Sequence, residues 1–380
     1  IGGHFSRYGM WDEATLSALP PARIHDVAVD TSVRKKTISL SGAVANAKKE
    51  MRIEGAVLDG DRVVIRFDET TLRGDERFEM AKPFGDVRLW SPEHPQLYTL
   101  ALALRAAPGG EVLDVRRIRI GFRELWAKGP DFYFNGVKRH LLATSGWPAT
   151  TGQTDEFVRK TLTDIKKGNN VAFRLHTQPW QHTWMEIADE VGLMIIDEGA
   201  FWCDGGGSYA YDDERFWENA SQHLANMIRR DRNHACLVMW SVENEILHCG
   251  AARHSKNVEK NLGELARKMR ALDPTHLITF EADHDPDGDQ TARDQESDRR
   301  PSRRDGHPQC QLSSDRLGDV RTLECGPGQS QQADEKARTE HGDGVRPHGR
   351  CERRRTGGPG SDGPGHEETR AASEEEGQHR

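Results

Sequence analysis

The sequence predicts an antiparallel β-sandwich, then a parallel α/β layer or barrel, and finally a tail without a hydrophobic core. Three observations lead to this prediction. Short alternating apolar runs continue to about residue 124, strand and helix patterns alternate from there to about residue 285, and no Phe, Trp or Tyr occurs after residue 290. We place the sandwich at 21–124, the α/β domain at 125–285 and the tail at 286–380.

The predicted sandwich consists of seven or eight short runs with a period of two. Turn sequences such as Asp59-Gly60 and Pro108-Gly-Gly110 separate these runs, and no long helical period interrupts them. Strands at this spacing are typical of a two-sheet sandwich of about 100 residues. The runs lie at 24–29, 37–44, 51–58, 63–67, 86–90, 97–104 and 112–122.

The region after residue 125 changes to alternating strands and helices. The clearest helix is 155–167, where Phe157, Val158, Leu162 and Ile165 recur at helical spacing before Gly168. A glycine directly after the last turn is a common helix stop. Further helices are predicted around Trp184, at 216–228 and at 257–272, between strands at 140–143, 170–175, 193–197, 236–241 and 276–280. Five such alternations favour a parallel sheet.

The tail has a composition that cannot build a core. Residues 291–380 contain no Phe, Trp, Tyr, Ile or Met, while Gly, Pro, Arg, Asp and Glu are abundant. Such a segment buries too little apolar surface to offset its ordering entropy, so we predict disorder. It holds fifteen Arg but only one Lys, Lys336, which suggests translation out of frame from a GC-rich gene. A natural low-complexity tail is the alternative.

Charge, termini and cysteines narrow the possible functions. The net charge of -8 argues against nucleic acid as a partner. The chain begins at Ile1, so we expect the natural N-terminus to be missing. No apolar run reaches the roughly 18 residues of a membrane span and no signal peptide is visible, so we expect no membrane partner and leave the localisation open. The six cysteines lack CxxC spacing, which argues against a disulfide framework or zinc knuckle.

The most informative stretch is Arg230-Asp-Arg-Asn-His-Ala-Cys-Leu-Val-Met-Trp-Ser-Val-Glu-Asn-Glu245. Its run 236–241 is too apolar for a half-exposed strand and reads as a parallel strand covered on both faces. Barrel enzymes place their chemistry at the carboxyl ends of such strands. Glu245 is therefore a candidate proton donor, with a solvated strand end or a salt bridge as the alternative. Strand alternation would aim Glu243 in the same direction as Glu245.

Three landmarks together resemble glycoside hydrolase family 2, the family of β-galactosidases, β-glucuronidases and β-mannosidases. The first is Leu89-Trp-Ser-Pro-Glu-His-Pro-Gln-Leu-Tyr98, and the second is Gly121-Phe-Arg123 followed by Phe134-Asn-Gly136. The third is the stretch from Arg230 to Glu245, which spans sixteen positions. The resemblance covers residues 8–285. It implies a jelly roll, an immunoglobulin-like sandwich and a (β/α)8 TIM barrel. We expect only a jelly-roll remnant, at 1–20, and an incomplete barrel of five strands.

The resemblance also implies roles for particular residues. Glu245 would be the general acid/base of a retaining mechanism, and Asn244 would contact the 2-hydroxyl of the sugar. Retaining chemistry needs a carboxylic acid that protonates the leaving oxygen and then activates water. Arg174 resembles the arginine that positions the nucleophile, and a buried ion pair is its alternative role.

Further substrate-binding candidates lie at or after the ends of the first three predicted strands of this region. His176 lies two residues after Arg174 instead of the family's three, so we carry it over only as a pocket residue. Asp197 and Glu198 match an acidic pair that shapes the site or serves the structure alone. Trp202 and Trp147 are candidate stacking platforms for sugar rings.

No cofactor is expected. His176, His182, His234 and His248 show no recognised metal-ligand spacing, so we predict no metal. A Gly-rich phosphate loop and a Gly-x-Ser-x-Gly elbow are also absent from the sequence.

The nucleophile is the part that the sequence lacks. The family uses a second glutamate after the seventh barrel strand, about 5 Å from the first. No such strand is predicted, and Glu324 in the tail is not nominated. We therefore expect this chain to be inactive and prone to aggregation, while its intact parent cleaves terminal β-linked sugars.

Alternatives and details of specificity stay open. The chain could be a carbohydrate-binding or scaffold remnant, or an unrelated metal-dependent barrel hydrolase. The sequence Thr144-Ser-Gly-Trp-Pro148 replaces the family's Arg-His-Glu type stretch, so galactoside, glucuronide and mannoside all remain candidate substrates. The oligomeric state is not predicted.

Overall fold

The computed structural model describes residues 12–47, 50–74, 76–106, 109–147, 153–202, 210–248, 252 and 255–281. The predicted tail at 286–380 and the first part of the jelly-roll remnant lie outside these residues. Residues 12–20 belong to no helix or strand. Among the described helices, none combines the length and the apolar character needed to cross a membrane.

The first domain is an antiparallel sandwich of two sheets. One sheet has the order β1-β2-β6, and the other has the order β4-β3-β7-β8 with β5 paired to β3. Alternate residues point into a core that includes Leu40, Phe78, Leu100 and Leu102, each almost fully buried. The strands are β1 Arg23–Ser32, β2 Thr37–Ala45, β3 Glu50–Asp59, β4 Arg62–Arg66, β5 Thr70–Arg73, β6 Arg77–Pro83, β7 Tyr98–Ala106 and β8 Val112–Ile120.

One predicted strand in the sandwich is wrong, and two strands, β5 and β6, were not predicted. The predicted strand at 86–90 is not a strand. Instead of a ladder of main-chain hydrogen bonds, the Trp90 amide donates to the Phe122 carbonyl and the Arg88 amide donates to the Tyr98 hydroxyl. The strand β6 was not predicted, although its buried Phe78 and Met80 alternate with polar residues.

The second domain begins with a small antiparallel sheet. It contains β9 Leu125–Lys128, β10 Asp131–Phe134 and β11 Val137–Arg139, in the order β11-β10-β9. Asn135 and Gly136 form the turn between β10 and β11, and both have positive φ angles, 52° and 90°. Two such residues suit the mirror-image turns that join twisted antiparallel strands.

A five-stranded parallel sheet follows, in the order β12-β13-β14-β15-β16. All eight residues of β15 are buried, as the apolar run predicts for a strand covered on both faces. The strands are β12 Ala143–Gly146, β13 Ala172–Leu175, β14 Met194–Glu198, β15 Leu237–Asn244 and β16 Leu277–Glu281.

In the described part of the chain, α-helices lie between these strands at α1 Asp155–Lys167, α2 His182–Val191, α3 Glu214–Asp231 and α4 Val258–Leu272. The Thr154 hydroxyl caps α1 by accepting from the Phe157 amide, and Gly168 ends the helix as predicted. The predicted class, an antiparallel sandwich followed by a partial TIM barrel, is therefore confirmed. The predicted domain boundaries stay predictions.

Candidate active site

Polar side chains gather where the parallel strands end. Ser145, Arg174, Glu198 and Glu281 lie at the carboxyl ends of β12, β13, β14 and β16, and Asn244 ends β15. Because parallel strands place these ends at one edge of the sheet, residues far apart in sequence meet there. All of them except Ser145 are buried.

The Arg174 guanidinium lies at the centre of this group. It donates from Nε to Glu198 Oε2 at 2.8 Å and from Nη2 to Glu198 Oε1 at 3.1 Å. It also donates to Ser145 Oγ at 3.3 Å and to the Asn244 side-chain oxygen. A bidentate arginine and carboxylate pair is among the strongest hydrogen-bonded contacts. Arg174 therefore fixes the side chains of three neighbouring strands.

Glu198 is fully buried and has its charge balanced by this pair. Its Oε2 accepts a further bond from the Ser241 hydroxyl at 2.9 Å. A buried carboxylate needs such partners, because an unpaired charge in the interior is costly. Glu198 is thus tied to Arg174 by two hydrogen bonds and to Ser241 by a third.

Asn244 and Glu245 stand at the mouth of the site. The Asn244 side-chain amide donates to Glu245 Oε2 at 3.2 Å, and the Glu245 amide donates to the Glu281 carbonyl at 3.0 Å. Glu245 has a left-handed backbone with φ of 60° and is partly exposed. A left-handed backbone is uncommon outside glycine and often marks a functional position.

Strand alternation predicts that the side chains of Glu243 and Glu245 point the same way. This argument fails because Glu245 lies outside the strand. The strand ends at Asn244, and its register shifts between Ser241 and Asn244. Glu243 is fully buried, and its Oε2 accepts from the amide of Ile246 at 2.8 Å, at the start of a short 3-10 turn. The two carboxyls therefore have different partners.

Glu281 is a carboxyl group that sequence reasoning did not nominate. Burial raises its pKa to about 7; Arg174, at 3.6 Å, opposes the rise, and the carboxyls of Glu198 and Glu245 add to it. Burial and neighbouring carboxylates both disfavour the ionised form of a carboxyl group. This group therefore titrates near neutrality.

Two family models match the chain. The model for the TIM barrel domain of glycosyl hydrolases family 2 matches residues 118–307, and a second model of the same family matches residues 22–123. The chain belongs to glycoside hydrolase family 2. The resemblance that the sequence landmarks indicate is thereby confirmed.

The relatives of this family 2 chain include galactosidases and glucuronidases. A β-galactosidase of Enterobacter cloacae is 30% identical over 302 residues, which is 72% of this chain and 27% of that protein. The human β-glucuronidase is 27% identical over 300 residues, 73% of this chain and 42% of the relative. This chain therefore spans less than half the length of either protein.

Solved structures show the same fold. A β-glucuronidase of Bacteroides uniformis superposes with a TM-score of 0.59 at 23% identity, over 72% of this chain and 34% of that one. A family 2 member from Bacteroides cellulosilyticus gives a TM-score of 0.60 at 22% identity, over 70% and 36%.

Beside this group of polar residues, the structure brings His176 and Trp147 together. Their ring centroids are 3.8 Å apart, and Trp147 is 49% exposed. His176 Nδ1 accepts from Arg174 Nη2 at 2.9 Å, whereas its buried Nε2 has no hydrogen-bond partner in the described part of the chain. An unpaired buried donor calls for a partner such as a ligand hydroxyl. Trp202 also lies close, because its backbone bridges to Asn244.

Asp197 is not part of this group. Its partners are Arg230 and Asp231 of α3, and burial, reinforced by the Asp231 carboxylate, raises its pKa well above the usual value. Adjacent residues of a strand point to opposite faces of the sheet. Glu198 thus takes the site side, and Asp197 takes the helix side.

Glu281, Ser145 and Ser241 were missed as members of the site. Each lies at or near the carboxyl end of a parallel strand, as Arg174, Glu198 and Asn244 do. The signal for Glu281 was its place directly after the apolar run of the fifth strand, which was predicted to stop one residue earlier.

Two groups of possible metal ligands lie elsewhere in the described residues: His182 with Asp231 and His234, and Asp189 with His234 and Cys236. Sequence spacing could not reveal them, because α2 and the start of β15 meet only in the fold. Three of these residues already have protein partners. Asp189 accepts from His234 at 2.7 Å and Asp231 pairs with Arg230.

Proposed function

We propose that this chain carries the acid/base part of a retaining β-glycosidase site, with Glu245 as general acid/base. The observation that supports this most directly is the placement of Glu245. It follows the fourth parallel strand, is partly exposed, and is fixed by bonds to Asn244 and to the Glu281 backbone. The substrate class is a terminal β-linked sugar, as the names of the galactosidase and glucuronidase relatives suggest.

Glu245 would act twice in each turnover. It first gives its proton to the glycosidic oxygen as that bond breaks, and then takes a proton from the water that releases the sugar. Partial exposure suits both steps, because the group must reach the leaving oxygen and then water. The Asn244 amide holds one of its oxygens and leaves the other available.

Asn244 and Arg174 would position the sugar. Arg174 binds the Asn244 side-chain oxygen, which leaves the amide nitrogen to face Glu245 and a 2-hydroxyl beside it. Glu198 keeps Arg174 in place. His176 offers an unpaired buried nitrogen to a sugar hydroxyl, and the exposed face of Trp147 offers a stacking surface, as we propose also for Trp202.

The nucleophile is not assigned. A retaining mechanism needs a second carboxyl about 5 Å from the first, and the family places it after a seventh strand, whereas the described residues form five parallel strands. We therefore expect the chain to bind a glycoside without hydrolysing it at a measurable rate, and to be prone to aggregation at its open sheet edges.

An azide rescue assay tests this proposal on the protein as it exists. Azide is a small anionic nucleophile that can attack the anomeric carbon in place of the unassigned carboxylate. We expect nitrophenolate release from 4-nitrophenyl β-glycosides only when azide is present. Glycoside binding without any azide-supported cleavage would instead favour a carbohydrate-binding remnant, and hydrolysis without azide would refute the expected inactivity.

A further inference from the structure

The carboxyl of Glu281 occupies a position next to the proposed acid/base. Glu281 is 3% exposed, its residue pairs in register with Asn244, and its carbonyl accepts the Glu245 amide. Among the described residues, its carboxyl has one charged partner of opposite sign, Arg174 at 3.6 Å. It therefore faces the site without the close hydrogen bonds that tie Glu198 down.

The charges around Glu281 are unequal. Three carboxyls, those of Glu198, Glu245 and Glu281, lie near one guanidinium, that of Arg174. That guanidinium already donates to Glu198 through two nitrogens and to Ser145, Asn244 and His176. In the described part of the chain, no other Lys or Arg pairs with these three carboxyls. Among the residues that the structure describes, a ligand with a negative charge would therefore find no uncommitted cation beside these carboxyls.

We propose that Glu281 is a specificity-determining residue of this site, which hydrogen-bonds a hydroxyl of a neutral sugar and disfavours a uronic acid. This inference rests on the proposed carbohydrate site and narrows its substrate class. A protonated carboxyl can donate to one hydroxyl and accept from another, whereas an ionised one accepts only. In either state it suits a neutral hexose.

The carboxylate of a uronic acid, in contrast, would be repelled by an ionised Glu281. Like charges at contact distance in a partly desolvated site repel each other strongly, by an amount that corresponds to about tenfold or more in affinity. The repulsion grows as Glu281 loses its proton near neutrality, so the discrimination should increase from pH 6 to pH 8. The groups that face Glu281 are Arg174 from β13, Glu198 from β14 and Glu245 after β15.

Matched thioglycosides provide the test, because their sulfur linkage resists hydrolysis. Phenyl 1-thio-β-D-glucopyranoside and its glucuronide differ only at C6, as do the galactopyranoside and the galacturonide. Isothermal titration calorimetry of each pair against the wild-type chain should show the neutral member bound at least about tenfold more tightly at pH 8. The ratio should fall toward pH 6.

The variant E281Q keeps the shape of the side chain and removes its charge. We expect E281Q to lose most of the pH dependence of the ratio and to bind the uronides more tightly than the wild type does at pH 8. The control E264Q removes a partly exposed carboxyl from α4 and should leave both ratios unchanged. Circular dichroism of each variant reports whether the fold is retained.

The outcomes separate this inference from the proposed function. Equal binding of neutral and uronic ligands across the pH range, or tighter binding of the uronides, overturns the role of Glu281 and leaves the carbohydrate site standing. Binding of none of the four ligands by the wild-type chain overturns the carbohydrate site itself, and the inference with it.

Discussion

The two ends of β15 differ in how their polar groups are satisfied. At the lower end, Asn233 accepts from Val29 and donates to Val27, both bonds at 2.9 Å, and Arg232 donates to Asp26. At the upper end, Glu245 has only the Asn244 amide as a side-chain partner in the described residues. The polar side chains at the lower end bond to the sandwich, whereas Glu245 at the upper end keeps acceptors available.

This difference shows that one sequence motif performs two tasks. The residues before the strand join the barrel to β1 of the sandwich, and Arg123 reinforces the joint by donating to the carbonyls of Ala235 and His234. The residues at the strand's carboxyl end form the candidate site. The contacts at the lower end therefore help to fix the position of β15, and with it the position of Glu245.

The largest effect is expected from R174M, which tests whether Arg174 at the upper end also stabilises the fold. The change leaves Glu198 fully buried without its counter-charge, which should lower the free energy of unfolding by about 3–5 kcal/mol. Urea unfolding followed by tryptophan fluorescence measures this. The control R159M breaks an exposed pair with Glu190 and should lose less than about 1 kcal/mol. Equal losses would contradict the account.

The second effect, from E281Q, is a gain in stability at the upper end. Glu281 has a raised pKa of about 7 in the folded chain, so the fold holds a proton there that the unfolded chain releases near 4.5. Stability should therefore fall as pH rises from about 4.5 to 7. At pH 8, the free energy of unfolding of E281Q should be roughly 2–3 kcal/mol higher than that of the wild type. A gain of the same size at pH 4 would show that the charge is not the cause.

The third change, N233A, weakens the lower end. It leaves the Val29 amide and the Val27 carbonyl without a side-chain partner, which should cost about 2 kcal/mol in urea unfolding. The matched control N226A removes an exposed side chain of α3 and should change stability by less than about 0.5 kcal/mol. If N233A matched its control, the sandwich contact would be unimportant.

The smallest effect concerns the pH dependence of the lower end. Burial opposes a charge on His234, but the Asp189 carboxylate at 2.7 Å outweighs it and raises the pKa of the imidazole. This stabilisation is complete below the unfolded value of about 6.5 and is lost as pH rises through the raised pKa. Unfolding midpoints between pH 6 and 9 should show this decline in the wild type. The decline should be smaller in H234Q and unchanged in the exposed-site control H94Q.

The sequence predicts most where local chemistry decides the structure. The bounds of α1 were predicted in full, because its apolar stripe runs up to the stop at Gly168; the structure adds the Thr154 cap at the other end. The strand β5 carries only one buried residue, Leu72, and depends on its pairing with β3, so no periodic signal existed for it.

The site was predictable to the extent that strand ends were. Arg174, Glu198 and Asn244 were nominated from the family resemblance, and Glu245 both from the resemblance and from its place after a buried strand. The separation of Asp197 from Glu198 could have been read from strand alternation, whereas the left-handed backbone of Glu245 could not. The contacts of Glu281 with Arg174 join two strands across the sheet, which only the fold reveals.

The dependence of cleavage on the leaving group tests the role of Glu245 most directly. Azide-supported cleavage of phenyl β-glycosides needs a proton on the departing oxygen, whereas 2,4-dinitrophenolate leaves without one. We expect E245Q to lose about 100-fold or more with the phenyl substrate and little with the dinitrophenyl substrate. Equal losses with both substrates would show that Glu245 does not donate the proton.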